Sequence, residues 1–399
     1  MTKHASRRIL HVYQSPSFSG AEAYAKEFAE YHLSSGHDVG FLALGGSPLA
    51  KRLHEENKPH AGKRLSKVFD SPDAVDWSSF DVIVLHSTQE LKLLKWHLAK
   101  LRLFTPKSKR PLVVLYSHIW ISHSKRDPLH ALVYSLIDQF WCSSNASKAT
   151  LEKFLPIAAD KIKVVRYGRD TKSLMANLLP RGEARRLLDI PEQAVVFGTL
   201  ARVDAGKGSR ELWDSALTVL REKPETHFLM IGPATASDPK AVKLDAELQA
   251  ELEGLRQTEP EVASRITKLG RLDNGTNYLK AFDLFVLATY KENFALTLLE
   301  AQLAGVPCLG TNSGGTPDLV EPPKTGWLFE PESEASLTKT LKQALSERAR
   351  WPEIANLSRD LVLKTYDFPD VTKEADRLLL EGIESSGLKW AKRKGTHPH

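Results

Sequence analysis

Short apolar runs alternate with helical spacing along most of the chain. In the first half, "RILHVYQ", "DVGFLAL", "FDVIVLH", "PLVVLYS", "QFWCSS" and "KIKVVRY" are apolar, brief and bounded by turn residues, as buried strands are. Between the first two, Ala21, Tyr24, Ala25, Phe28 and Ala29 fall on one helical face. After "KIKVVRYGRD" the pattern becomes irregular, with Pro180, Gly182 and Pro191, which places a linker at 169–192. A second alternation runs through "AVVFGTLARVD", "HFLMIGP", "RITKLGR", "DLFVLAT" and "GVPCLGT", with helices expected at 208–222, 242–256, 274–282, 295–304 and 314–320. From Glu334 on the chain reads as mostly helical. This order predicts an α/β protein of two Rossmann-like domains, each a doubly wound parallel sheet. The expected boundaries are 1–180 for the N-terminal domain and 190–365 for the C-terminal one. Residues 366–399 would form a helix packing back towards the N-terminal domain, then a basic tail. Two such domains should face each other across a deep cleft at the C-terminal ends of their strands.

Composition narrows the class. The 399 residues are 42% hydrophobic and 26% charged, enough apolar material for sizeable cores. No apolar run approaches a membrane span, and "MTKHASRRILHVYQS" lacks the pattern of a secretory signal. Cys142 and Cys308 lie in separate apolar runs, which favours structural burial over a disulfide or metal role and fits a reducing, cytoplasmic compartment. The net charge of +6 is uneven. Residues 1–190 hold 29 Lys and Arg against 18 Asp and Glu, and the segment 91–126, from Leu91 to Arg126, holds nine basic residues and no acidic one. Such a face suits an anionic partner, a membrane surface or a phosphorylated acceptor; the alternative is a solvated face balanced by acids elsewhere. Nucleic acid ranks lowest, because no aromatic-and-basic recognition motif accompanies the charge.

Several short segments carry candidate chemistry. In "GTLARVDAGKGSREL" a strand ends near Leu200 and a helix starts near Gly208, with Arg202, Lys207 and two glycines between them. Helix-start amides and two cations make an anion site, most simply for a diphosphate, although the order is not that of a Walker A loop. A solvated basic loop is the bland alternative. Gly314 and Gly315 in "TNSGGTPDLV" form a second glycine turn, either an anion-binding nest or a plain loop. In "YKENFALTLLEAQLAGVPCLG", Glu292 lies in a loop and Phe294, Ala295 and Leu296 open a helix. Glu300 sits on the stripe of Leu296, Leu299, Leu303 and Ala304 that should be buried. A buried carboxylate needs donors: vicinal hydroxyls of a ribose, or an internal Lys or Arg. An internal pair would overturn the ribose reading. In the first half, the loop "SPSFSG" directs the helix start at Gly20 towards the same place, and His118 in "LVVLYSHIW" follows a strand end. His118 is a candidate for binding a substrate hydroxyl or for acid/base work, or else it is structural, with His123 and His130 as decoys.

Together these segments resemble the retaining, nucleotide-sugar-dependent glycosyltransferases of family 4 (glycosyl transferases group 1), which have the GT-B fold. R-x4-K-G appears as Arg202 and Lys207-Gly208, and E-x7-E as Glu292 and Glu300, within a match that spans roughly 194–330. The resemblance implies that Arg202 and Lys207 hold the donor diphosphate. It implies that Glu300 accepts from the ribose, and that Glu292 and the amides of Phe294, Ala295 and Leu296 meet the donor sugar. Gly20 would let a loop approach the phosphates, His118 would orient the sugar, and the base would lie against Gly270 and Arg271. It further implies retention through a front-face mechanism without a protein nucleophile, and no metal or other cofactor; no D-x-D pair is present to hold one. The donor would be UDP-linked ahead of GDP-linked, and the acceptor a glycan, a lipid-linked sugar or a lipopolysaccharide.

The sequence also departs from the family pattern. Ser19-Gly20 stands for Gly-Gly, Ala295 for a glycine, and "RYGRD", residues 166–170, for P-N-G-V-D. Alternatives therefore stay open: a sugar-nucleotide epimerase or phosphorylase of the same fold, or a non-catalytic nucleotide-binding protein. Helix 89–104, apolar and basic with Trp96 and Phe104, is expected to be an ordinary domain helix rather than one lying on an anionic membrane at the inner face of the cell.

Overall fold

A computed structural model describes residues 6–16, 18, 20–57, 65–118 and 120–385. Ser17 and Ser19 of the first glycine loop, Ile119 and the basic tail lie outside them. The described residues divide into two units. The first runs to Arg166 and resumes at Pro369; the second is Tyr167–Phe368.

In the first unit seven parallel strands form one sheet: β1 Arg8–Tyr13, β2 Asp38–Ala43, β3 Lys67–Phe69, β4 Val82–Leu85, β5 Leu112–Ser117, β6 Gln139–Cys142 and β7 Ile162–Val164. Their spatial order is β3-β2-β1-β4-β5-β6-β7. The direction of winding reverses between β1 and β4, the point where ligands collect in such sheets. Apolar clusters lie on both faces, one beneath helix Thr88–Phe104 and one beneath helices Gly20–Ser34 and Pro48–Glu56. The near-continuous burial of β1, β2, β4 and β5 follows from this double cover. The helix Phe368–Ser385 joins this unit from Pro369 on; Gln139 Nε2 donates to Leu378 O at 2.9 Å.

The second unit repeats the plan with six parallel strands: β8 Val195–Leu200, β9 Thr226–Ile231, β10 Ile266–Leu269, β11 Leu284–Leu287, β12 Cys308–Thr311 and β13 Trp327–Phe329, in the order β10-β9-β8-β11-β12-β13. Its switch lies between β8 and β11. Helix Ser209–Glu222 covers β8 and β9 with Leu212, Trp213, Ala216, Val219 and Leu220, a spacing that keeps one face on the core. Both cysteines are free and buried, in β6 and β12.

The structure corrects several expectations. The break falls at Arg166 rather than near 180, and the stretch read as a linker contains helices Thr171–Asn177 and Arg181–Leu187. Asp170 caps the former through Ser173 N at 2.9 Å. The latter is anchored to the second unit by Arg185, 1% exposed, whose guanidinium donates to Asp283 Oδ2 at 2.6 Å and to the carbonyls of Ala281, Glu192 and Ala194. Strands β3 and β13, three residues each, were too short to show periodicity. The helices expected at 274–282 and 314–320 are 3-10 turns, Gly275–Ala281 and Thr316–Asp318.

Removing one partner of a buried, hydrogen-bonded ion pair leaves the other uncompensated, at a cost of about 3–5 kcal/mol. Arg185→Ala should therefore lower the unfolding free energy of the second unit by that order in urea titrations. A loss under ~1 kcal/mol would mean that Arg185 does not anchor the helix.

Candidate functional site

In the second unit, three loops gather beyond the C-terminal ends of β8, β11 and β12. The first follows β8. Asp204 caps a 3-10 turn, Ala205–Lys207, by accepting from Lys207 N at 2.9 Å. Gly208 then takes the left-handed conformation, φ +63°, and starts helix Ser209–Glu222. A Cβ at Gly208 would lie 2.2 Å from Ala288 O, so only glycine lets the turn pass so close to the end of β11. Tyr290 N donates to Gly206 O at 2.9 Å, which ties the β8 and β11 loops together. Arg202 is exposed and forms no ion pair among the described residues.

Lys207 does not stand alone. Its Nζ donates to Glu292 Oε2 at 2.6 Å, with the two side chains 23% and 21% exposed. The residues assigned separately to diphosphate and sugar thus hold each other. The β12 loop completes the arrangement: Gly314, φ +61°, passes so near Glu292 that a Cβ would lie 2.0 Å from its carbonyl oxygen.

Gly315 N donates to that same carbonyl at 2.8 Å, so its amide is spent on the loop and does not form the anion nest envisaged. The amide of Leu296 is likewise taken, by Phe294 O at 3.0 Å. Phe294 is buried between Tyr167 and Tyr366, with ring centroids 5.4 and 5.5 Å away. Ala295, also buried, precedes helix Leu296–Leu303. Gly270 and Arg271 are exposed beyond β10, where Arg271 faces Asp273.

Glu300 is buried, but helix Leu296–Leu303 is not striped: Leu298 to Leu303 are all buried. Glu300 Oε1 accepts from Arg169 Nε at 2.7 Å, and the Arg169 side chain is 17% exposed. This is the internal-pair alternative, and the ribose reading of Glu300 fails on it. Its burial is satisfied by Arg169, one of the three residues at which "RYGRD" departs from P-N-G-V-D. Arg169 is itself held by backbone bonds to Tyr366 and Phe368.

In the first unit, Gly20 opens helix Gly20–Ser34, and a Cβ there would meet nothing within 4 Å. Glu22, in its first turn, accepts from Ser15 Oγ at 2.6 Å. His118 follows β5 and is 7% exposed. Its Nε2 lies 2.8 Å from Nδ1 of His86, which follows β4. His86 Nε2 lies 2.9 Å from Nδ1 of His11 in β1, and His11 Nε2 lies 3.0 Å from Nδ1 of His32 in the helix behind. Four buried imidazoles therefore cross the sheet along neighbouring strands. Sequence reasoning singled out only His118; the signal available was a histidine within or just after each of β1, β4 and β5. Burial pushes His118 and His11 down to about 3, the nearby charge of Glu22 opposing it only partly at His118. Burial also holds His86 and His32 well below the ordinary value. A His118 so depressed is neutral at pH 7, which suits hydrogen bonding rather than service as a charged acid.

The pH dependence follows. An unfolded histidine titrates near 6.5, while in the native state burial pushes His11 and His118 down to about 3 and holds His86 and His32 well below the ordinary value. Below pH 6.5 the unfolded chain binds protons that the native chain refuses. Stability is thus complete above that pH and is lost as pH falls, by up to ~1.4 kcal/mol per pH unit for each histidine. Hydrogen-exchange protection of β1 and β5 should decline steeply from pH 7 to 5. Protection that stays level would contradict the buried neutral chain.

Comparison with known proteins agrees with this geometry. The family described as Glycosyltransferase Family 4 matches residues 18–173, and Glycosyl transferases group 1 matches residues 180–360. The UDP-Gal:alpha-D-GlcNAc-diphosphoundecaprenol alpha-1,3-galactosyltransferase of Escherichia coli is 23% identical over 396 residues, 94% of this chain and 96% of the relative. The lipopolysaccharide core biosynthesis mannosyltransferase LpsB of Rhizobium meliloti is 30% identical over 157 residues, 39% of this chain and 42% of the relative. Among solved structures, Anabaena HepE in complex with UDP and glucose superposes with a TM-score of 0.76 at 18% identity, over 94% of this chain and all of that one. Two doubly wound parallel sheets, the R-x4-K-G turn and these matches agree: the chain is a GT-B glycosyltransferase and belongs to glycosyltransferase family 4.

Proposed function

We propose that the protein transfers a sugar, with retention and without a bound metal, from a UDP-sugar to a lipid-linked or lipopolysaccharide-type acceptor. The observation that carries this is the turn after β8, where Arg202 and Lys207 flank the start of a 14-residue helix. Full positive charges and the helix dipole there suit a diphosphate. In the reaction the bond between the anomeric carbon and the diphosphate oxygen breaks, and its electron pair leaves with the diphosphate. Arg202 and Lys207 offset the charge that develops on that oxygen. The acceptor hydroxyl bonds to the anomeric carbon on the same face and gives its proton to the departing phosphate oxygen. Glu292 is released from Lys207 when the diphosphate arrives and accepts from donor-sugar hydroxyls. In the first unit, neutral His118 binds a substrate hydroxyl. The names of the E. coli and R. meliloti relatives support a lipid-linked or lipopolysaccharide acceptor, and the E. coli relative and HepE support UDP over GDP.

The acceptor reading has a surface to match. Helix Thr88–Phe104 buries Leu91, Leu94, Leu98 and Leu101 against its sheet, as an ordinary domain helix does. Its outward face carries Leu93, Trp96, Leu103 and Phe104, 60–80% exposed, with Lys92, Lys95 and Lys100 also exposed. Leu129 and Leu132 of helix Pro128–Tyr134 are similarly exposed. No described helix is long and apolar enough to cross a membrane. An apolar face within the basic segment 91–126 suits peripheral docking on anionic lipid.

Two experiments test these readings. Incubation with UDP-, GDP- and ADP-sugars and a diphosphoundecaprenol-linked acceptor should yield a product from a UDP-sugar, in chelator, with the donor's anomeric configuration by NMR. Lys207→Ala should slow transfer by ~100-fold. An inverted product, sugar phosphate released from a glycan, or UDP binding without turnover would each overturn the assignment. Full-length protein should co-sediment with phosphatidylglycerol vesicles, and a Trp96→Ser/Leu103→Ser/Phe104→Ser variant should not. Equal sedimentation of the two would remove this face from the membrane contact.

A further inference from the structure

The four histidines end at a carboxylate. His32 Nε2 faces Asp376 Oδ1 at 3.8 Å, and each of these two atoms is buried with no hydrogen bond. Asp376 belongs to helix Phe368–Ser385, and His37 Nε2 reaches the same oxygen at 3.4 Å. His37 Nδ1 accepts from the amide of Arg7 at 3.3 Å, so a neutral His37 carries its proton on Nε2, towards Asp376. Burial would raise Asp376, but His37, His32 and the charge of Arg7 outweigh it and keep the group ionised.

A neutral imidazole has one N–H and one lone pair. In a chain of such rings every link must run in the same direction, because two lone pairs or two N–H groups cannot face each other across 2.8–3.0 Å. Only two arrangements exist: all four protons on Nε2, or all four on Nδ1. With the protons on Nδ1, the Nε2 lone pair of His32 would point at the Asp376 carboxylate. With the protons on Nε2, His32 presents an N–H to it instead. At the opposite end the charge of Glu22 pulls the other way, towards a proton on Nδ1 of His118. Glu22 already accepts the Ser15 hydroxyl at 2.6 Å, whereas Asp376 Oδ1 has only the longer approaches of His37 and His32, at 3.4 and 3.8 Å. Among the described residues no group of three or more His, Cys, Asp or Glu is set to hold a metal ion, so the contacts are read as hydrogen bonds between rings.

We propose that Asp376, acting through His32, His11 and His86, fixes the tautomer of His118 with its proton on Nε2, so that Nδ1 is a hydrogen-bond acceptor. Asp376, His32, His11 and His86 are then positioning residues: they touch no substrate and decide which partner His118 can take. A hydroxyl donating to Nδ1 fits; a group that needs a donor there does not. The use made of this acceptor rests on His118 binding a substrate hydroxyl, as proposed above. The tautomer does not, and is read without donor or acceptor.

The test is the two-bond ¹H–¹⁵N spectrum of the full chain labelled with ¹⁵N-histidine, which distinguishes a protonated Nε2 from a protonated Nδ1. Signals are assigned by their loss in single-histidine variants. His11, His32, His86 and His118 should all be the Nε2–H form at pH 7.5. A His118 protonated on Nδ1 would overturn the proposal and give control to Glu22. Asp376→Asn and His86→Phe should each let the Nδ1–H form appear at His118, with circular dichroism unchanged. A His118 that stays wholly Nε2–H in folded Asp376→Asn would show that Asp376 does not set it. Should neither variant fold, the wild-type spectrum decides alone. Loss of glycosyl transfer with this tautomer pattern intact would count against the catalytic reading and leave the chain standing.

Discussion

The loops of the second unit are organised around one contact, the 2.6 Å pair between Lys207 and Glu292. A cation and a carboxylate kept at the same sheet edge without a ligand must neutralise each other or pay for desolvation. Two tight backbone approaches enforce the pairing. Gly208 lets the β8 turn lie against Ala288, and Gly314 lets the β12 loop lie against Glu292. Neither site accommodates a Cβ. The pair holds both side chains in place; in the proposed reaction an anion takes Lys207, and that exchange frees Glu292 for hydroxyl groups.

The same logic of mutual partnering holds in the first unit. Its sheet reverses winding between β1 and β4. The histidines cross at that point, from the helix behind β1, through β1 itself, to the ends of β4 and β5. Polar groups inside a sheet protein are tolerated when each finds a partner, and neutral imidazoles can satisfy one another in series. This explains how His118 can be almost wholly buried and still retain a defined hydrogen-bonding character.

Much of this was legible in the sequence because it is local. Strands β1 and β8 could be read from apolar runs, and the turn after β8 from its glycines and cations within a few residues. What escaped was short or non-local. Strands β3 and β13 have too few residues for a period. The helix Arg181–Leu187 hid behind Pro180 and Pro191, since its anchor, Asp283, lies far along the chain. Glu300 invited a ligand because a buried carboxylate demands donors, and sequence spacing could not show that Arg169, 131 positions earlier, supplies one. The histidine chain needs the strand order, which places β4 beside β1.

The central claim is that Lys207 is an anion ligand held in reserve by Glu292. Calorimetric titration of UDP into the wild-type protein, Lys207→Ala and Glu292→Gln tests it most directly. The account predicts that Lys207→Ala weakens binding at least ~10-fold, about 1.4 kcal/mol. It also predicts that Glu292→Gln binds UDP as tightly as wild type or more so, because Lys207 no longer has to be released. Equal affinity in all three proteins, or a loss in Glu292→Gln as large as in Lys207→Ala, would contradict it.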